Sequence, residues 1–413
     1  MIIDNKLYIG GIAALELAKT YGTPLYAYDE SVIRQRCKDL QKFISYRPIK
    51  VYYACKANSN PTILRAIKEE GCGIDAVSPG EIVLALNCGF SPKEIVFTGN
   101  NLTDDEMRFG ITQGILQNID SLSQLERYGK INPGSKIWVR INTDVGAGHH
   151  AHTITGGPDS KFGIYYDKIQ EIKAIADMHR LKIVGVHQHI GSGILNPDDF
   201  ITAMDALLPV AKQFSELESV DFGGGIGIPY RADQKQINLE ALGKTISEKF
   251  KAFCQEFGRQ ITLTIEPGRF LVAESGVLIA KVNTIKDTPA HKFVGVDSGF
   301  NHLVRPAMYG SYHEIVKVDE VKSDKTDKVL VAGNICESGD LFTLGDSGEK
   351  VDRELPVLKE GDIIGILDAG AYGFSMASTY NMRPRPIEVM VNGKLHNVIR
   401  ERETVEDLMR GLE

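Results

Sequence analysis

Between residues 51 and 268 the chain repeats one pattern eight times: a short apolar run, then an amphipathic helical stretch. The runs are VYYAC (51–55), GIDAV (73–77), EIVFTG (94–99), ILQNID (115–120), KIWVRI (136–141), KIVGVHQHI (182–190), SVDFG (219–223) and ITLTIEPG (261–268). They are too short for helices and rich in β-branched and aromatic residues, as buried strands are. Helical patterns lie between them; PGEIVLALNCG, for example, has Ser78 as an N-cap and Gly89 as a C′ stop. Eight strand–helix units predict a closed parallel (β/α)8 barrel of the TIM type, with a doubly wound open sheet as the alternative. After about residue 270 the rhythm changes to short strands joined by polar turns, and long helical patterns vanish until TVEDLMRGLE. Residues 28–270 are therefore assigned to the barrel, and residues 1–27 with 271–413 to a β-sandwich or β-barrel domain.

The bulk properties narrow the function class. The 413 residues carry 47 basic and 54 acidic side chains, a formal charge of −7 with no basic block, so nucleic-acid binding is not expected. The N-terminal MIIDNKLYIGG lacks the pattern of a signal peptide, and no run of apolar residues is long enough to span a membrane. Six scattered cysteines without a CxxC pair point to reduced thiols in a cytoplasm, with neither a disulfide framework nor a zinc site.

In such a barrel the chemistry gathers at the C-terminal ends of the strands. There the chain places Lys56, then Ser78 and Glu81, His189 and Ser192 in HQHIGSG, the glycines 223–225 and 227, and Glu266 and Arg269 in EPGR. Each has a plain structural reading. A strand-end lysine is usually solvated, a histidine is often a satisfied core residue, GGGIG can be a tight turn, and EPGR a turn with a surface ion pair. Their convergence on one rim is the stronger signal. A lysine can form a Schiff base with an aldehyde, a glycine loop can cradle a phosphate, a carboxylate can pair with a pyridinium nitrogen, and an imidazole can stack on a flat ring. Together these are the requirements of pyridoxal 5′-phosphate (PLP).

The motifs YACKAN (53–58), DAVSPGEI (75–82), HIGSG (189–193), GGGIGIPY (223–230), EPGR (266–269), VDSGFNHLVRPAMYGSYH (296–313), CESGD (336–340) and GAYGFSMASTYNMRPRPIEV (370–389) run over nearly the whole chain. With them the sequence resembles the diaminopimelate decarboxylases, PLP-dependent enzymes of the alanine-racemase-like barrel group. The resemblance implies that Lys56 holds PLP and that His189 stacks on its ring. Ser192, Gly225 and the backbone of Glu266, Pro267, Gly268 and Arg269 would surround the phosphate, with Glu266 also facing the pyridine nitrogen. Arg269, Arg305 and Tyr309 would bind a substrate carboxylate, and Tyr372 would touch cofactor and substrate. Cys336 as proton donor and Glu337 as substrate ligand would come from the partner subunit of a homodimer with shared active sites. Leu102, Thr143 and Gly193 depart from common family choices without touching these roles.

The implied reaction is decarboxylation of meso-2,6-diaminopimelate to L-lysine, the last step of lysine biosynthesis. Alternatives are a related decarboxylase acting on ornithine, arginine or carboxynorspermidine, or a non-catalytic PLP carrier. Relatives acting on ornithine carry an aspartate where Glu337 stands. Carriers resemble the barrel alone, and the CES block is foreign to alanine racemases.

Overall fold

The computed structural model describes residues 1–148 and 155–412. The chain divides into two compact units, Arg34–Ile228 with Lys235–Leu271, and Met1–Ile33 with Pro229–Gln234 and Val272–Glu413. In the first unit eight parallel strands form a ring: β1 (Ile49–Ala54), β2 (Gly73–Ala76), β3 (Ile95–Phe97), β4 (Leu116–Ile119), β5 (Lys136–Asn142), β6 (Lys182–His187), β7 (Ser219–Asp221) and β8 (Thr262–Ile265). Each pairs with its neighbour in sequence, and β8 pairs with β1. The open-sheet alternative fails at β4 and β5, whose pairing of Asn118 with Trp138 and Ile119 with Val139 completes the ring.

Longer helices follow the strands of the ring: α1 (Pro61–Glu69), α2 (Pro79–Asn87), α3 (Asp104–Thr112), α4 (Leu122–Ile131), α5 (Ile169–His179), α6 (Pro197–Ala211) and α7 (Leu239–Phe257). Their starts are written locally. The side chains of Asn60, Ser78, Thr103, Ser121, Asn196 and Asn238 each accept a backbone N–H of the first turn, a cap worth about 1 kcal/mol. Gly89, just past α2, takes a φ of +87° that closes the helix.

The barrel interior is filled, not hollow. Tyr52 on β1 and Trp138 on β5 lie on opposite walls, yet their rings meet at 6.3 Å, so both point inward. Val96 and Val184 pack with them as an apolar layer. Two residues beyond Trp138, and so on the same face, stands Arg140, 7% exposed. Asp75, His187 and Asp221, near the C-terminal ends of β2, β6 and β7, are buried as well. The apolar layer gives way to a charged one toward the rim.

The second unit is built on the long strand Gly276–Asp287, which pairs antiparallel with Leu25–Asp29, Lys292–Val296 and Ile363–Ile366. The N-terminal strand Leu25–Asp29 also pairs in parallel with Ile387–Asn392. Leu7, Leu17, Leu25, Ile279, Val389 and Val391 belong to its apolar core. Pro229–Gln234 belongs here because Tyr230 meets Arg305, and Arg231 pairs with Asp346 at 3.0 Å. Among the described residues no helix is long and apolar enough to cross a membrane.

Candidate active site

After β1 the chain makes one 3₁₀ turn, Cys55–Ala57. Cys55 and Ala57 are fully buried and anchor the backbone, while the Lys56 side chain keeps 43% exposure. Its Nζ lies 3.6 Å from Oδ2 of Asp75 on β2. Burial and the nearby Glu266 push the Asp75 carboxyl up to about 6, with Lys56 pulling the other way. Glu81, in the first turn of α2, accepts the Val77 N–H at 2.8 Å and is pushed up to about 7 by burial. A cluster of buried acids with raised pKa values around a lysine at a barrel rim is how functional sites are built.

Beyond β6, His189 accepts the Gly224 N–H through Nδ1 at 3.2 Å, so the proton of its neutral ring sits on Nε2. Burial, with the charges of Lys56 and Arg140, holds that ring well below the usual imidazole range. The result is a flat, uncharged ring.

The loop after β7 is close-packed. Asp221 Oδ1 accepts the Gly223 N–H at 2.7 Å, and the Gly223 carbonyl accepts the Glu266 N–H at 2.8 Å. A Cβ on Gly224 would stand 2.1 Å from the Glu266 carbonyl oxygen. Gly225 takes a φ of +116° against the Gly191 carbonyl, a conformation only glycine adopts readily. Ser192 Oγ accepts Arg269 Nη2 at 3.1 Å. The Pro267 carbonyl receives the Ala54 N–H at 3.1 Å, and the Gly268 carbonyl that of Leu271. The first of these bonds ties the end of β8 to the end of β1.

Glu266 completes the rim. Its Oε2 lies 3.0 Å from His187 Nε2, and its buried Oε1 has no hydrogen-bond partner among the described residues. Burial pushes this carboxyl up to about 7, opposed by Lys56 and Arg140. A buried acceptor atom without a partner is costly unless a ligand satisfies it. The protonated pyridine nitrogen of PLP is such a ligand. With the part-exposed Lys56 amine and the neutral His189 ring at the same rim, the residues fit that cofactor.

The sheet-rich unit holds the other residues named from sequence. Arg305, at the start of the short helix Arg305–Tyr309, is 1% exposed. It donates to Tyr230 Oη at 3.0 Å, to His313 Nε2 at 3.1 Å and to Ser311 Oγ at 3.3 Å. His313 donates its Nδ1–H to the Leu367 carbonyl at 2.8 Å, which leaves Nε2 a pure acceptor for the guanidinium. Tyr309 and Tyr372 are half-buried, the latter with a φ of +56°. Of the six free cysteines only Cys336 is exposed. Its N–H is held by Asn381 Oδ1 at 2.7 Å. Glu337, also exposed, follows in the same loop, and the buried Asp340 pins that loop by accepting the N–H groups of Phe300 and Ile335 at 2.6 and 2.7 Å.

The structure thus brings Lys56, His189, Ser192, Gly225 and Glu266–Arg269 to one end of the barrel, and places Arg305, Tyr309, Cys336, Glu337 and Tyr372 in the sheet-rich unit. Asp75, Arg140, His187 and Asp221 were not singled out from sequence. The available signal was a charged or imidazole residue near the C-terminal end of an otherwise apolar strand, as in GIDA, WVRI, GVH and SVD.

Residues 30–273 match the family model for the pyridoxal-dependent decarboxylase, pyridoxal binding domain. The diaminopimelate decarboxylase of Methanothermobacter thermautotrophicus is 47% identical over 98% of this chain and 95% of its own length. That of Escherichia coli K12 is 37% identical over 96% and 95%. The crystal structure of the M. jannaschii diaminopimelate decarboxylase in complex with L-lysine superposes with a TM-score of 0.89 at 36% identity, covering 99% of this chain and 96% of that one. The barrel, its rim and full-length similarity at this level lead to one assignment: the chain belongs to the diaminopimelate decarboxylase family of PLP-dependent decarboxylases.

Proposed function

We propose that the protein decarboxylates meso-2,6-diaminopimelate to L-lysine and CO₂, using PLP held by Lys56. The observation that carries this reading is Glu266: a carboxylate at the barrel rim with one oxygen held by His187 and the other, buried, without a hydrogen-bond partner among the described residues. When bound, PLP supplies an aldehyde for an amine and a ring that accepts the electron pair released at Cα as CO₂ leaves. The rest of the work belongs to the chain. Lys56 would hold the aldehyde of PLP through its amine. Glu266, ionised, would keep the pyridine nitrogen protonated. His189 would lie against the ring, and Ser192, Gly225 and the 266–269 backbone would take the phosphate.

The distal carboxylate of the substrate is assigned to Arg269, Arg305 and Tyr309, with Glu337 and Tyr372 as further substrate contacts. The geometry of Arg305 supports this: its guanidinium is already oriented by three neutral acceptors. A planar, pre-set guanidinium suits a bidentate carboxylate, which favours a substrate that carries a distal one. Cys336 is assigned the protonation of Cα, from the partner subunit of a homodimer; its exposed thiol is available for that role. Five buried, unpaired thiols suit a reducing cytoplasm as the place of action.

A substrate panel tests the reading. The PLP-loaded protein is offered meso-diaminopimelate, ornithine, arginine, lysine and carboxynorspermidine in separate assays of CO₂ release. The highest kcat/KM should fall on meso-diaminopimelate, with lysine as the amine product. A higher value on any other of these compounds overturns the substrate; cofactor binding without turnover of any of them leaves a carrier.

A further inference from the structure

We propose that His187 is a positioning residue for Glu266: its Nε2–H fixes one carboxylate oxygen, so that the other is presented, ionised, to the pyridine nitrogen of the cofactor. This rests on the cofactor reading above and adds to it a residue that makes no contact with the reacting atoms.

Three observations carry it. His187 is the last residue of β6 and is fully buried, so its imidazole has no access to water. Its Nε2 lies 3.0 Å from Glu266 Oε2, while its Nδ1 has no hydrogen-bond partner among the described residues. The ring's hydrogen bonding is thus directed at Glu266 alone. An ionised carboxylate only accepts, so the ring is the tautomer with the proton on Nε2. Finally, one nitrogen of His187 and one oxygen each of Asp221 and Glu266 lie within 4.8 Å of one another. Asp221 in turn accepts the Gly223 N–H at 2.7 Å, so the group that orients Glu266 adjoins the one that holds the glycine loop.

The charges around the pair explain why a neutral donor is needed there. Lys56 follows β1, Asp75 lies on β2, Arg140 on β5, His189 beyond β6 and Asp221 on β7. Burial, Arg140 and Lys56 hold the His187 ring well below its usual range, with Asp75 opposing, so it donates as a neutral group. Burial has already brought Glu266 up to about 7. Losing a hydrogen bond to its charged form would raise that by about one to two pH units. At neutral pH the carboxyl would then carry its own proton and could no longer hold one on the pyridine nitrogen.

The experiment compares His187→Gln, which keeps an N–H near the Nε2 position, with His187→Leu, which removes it, and His187→Asn, which is too short to reach. Two quantities are read: the PLP dissociation constant of the cofactor-free protein as a function of pH, and the acid limb of the kcat/KM profile. Leu and Asn should weaken PLP binding about tenfold or more at pH 7 and move the acid limb upward by about one to two units. Gln should leave the limb in place and PLP affinity near that of the wild type. If Leu does not fold, the Gln–Asn contrast decides alone. Equal impairment by all three variants would mean a packing role, and wild-type values for Leu would mean no role; either overturns the proposal. Wild-type protein that binds no PLP would instead overturn the cofactor reading beneath it.

Discussion

At the scale of the residue, the site is a balance of buried charges. Glu266 sits among Lys56, Asp75, Arg140 and Asp221, and its carboxyl is raised to about 7 by burial. A carboxyl raised in the folded state stabilises the protein below its unfolded value near 4.5, and that contribution is lost as pH rises through about 7. The neutral buried rings of His187 and His189 act in the opposite sense, since their folded values lie below the unfolded one. Glu266→Gln isolates the carboxyl. In the cofactor-free protein this variant should gain roughly 1–2 kcal/mol relative to wild type between pH 5.5 and pH 8. Urea unfolding at the two pH values measures this, and an unchanged or reversed difference contradicts the assignment. Lys56 and Glu266 were legible in the sequence because each closes a strand at the rim, where a charge has a reason to be. His187, Arg140 and Asp221 were not. Arg140 lies inside β5, and His187 and Asp221, the last residues of β6 and β7, lay within the longer runs read as 182–190 and 219–223; which strand residues face the barrel interior depends on the closure and register of the whole ring.

At the scale of the element, the eight strands were legible because each is a short apolar run flanked by capped helices. Their ends were less so: the run read as 182–190 is a strand only over Lys182–His187, beyond which the Ile190 carbonyl accepts the N–H groups of Ala147 and Thr155 from a loop instead of continuing the sheet. The two-residue strand Ile164–Tyr165, which adds to β5, has too little pattern to announce itself. The loop after β7 is the element proposed to hold the cofactor phosphate, and it packs directly on Glu266. Gly224→Ala would put a methyl 2.1 Å from the Glu266 carbonyl oxygen, so the end of β8 must move. PLP affinity should fall about tenfold or more, with the helical circular dichroism retained. Unchanged affinity in a cofactor titration would show that this loop does not set the position of Glu266.

At the scale of the whole molecule, the assigned residues divide between a barrel that holds the cofactor and a sheet-rich unit that holds Arg305, Tyr309, Tyr372 and the Cys336 loop. If Cys336 acts in the partner's site, subunits carrying Lys56→Ala and subunits carrying Cys336→Ala are each inactive alone and complement when mixed. Statistical exchange in a two-fold dimer should restore about one quarter of wild-type activity; no recovery despite confirmed exchange contradicts shared sites. The account as a whole turns on one covalent attachment. Borohydride reduction of the PLP-loaded protein, followed by digestion and mass spectrometry, locates the lysine that carries the cofactor. A phosphopyridoxyl group on the peptide containing Lys56, absent from Lys56→Ala, is the predicted result; a label on another lysine, or none, would contradict it.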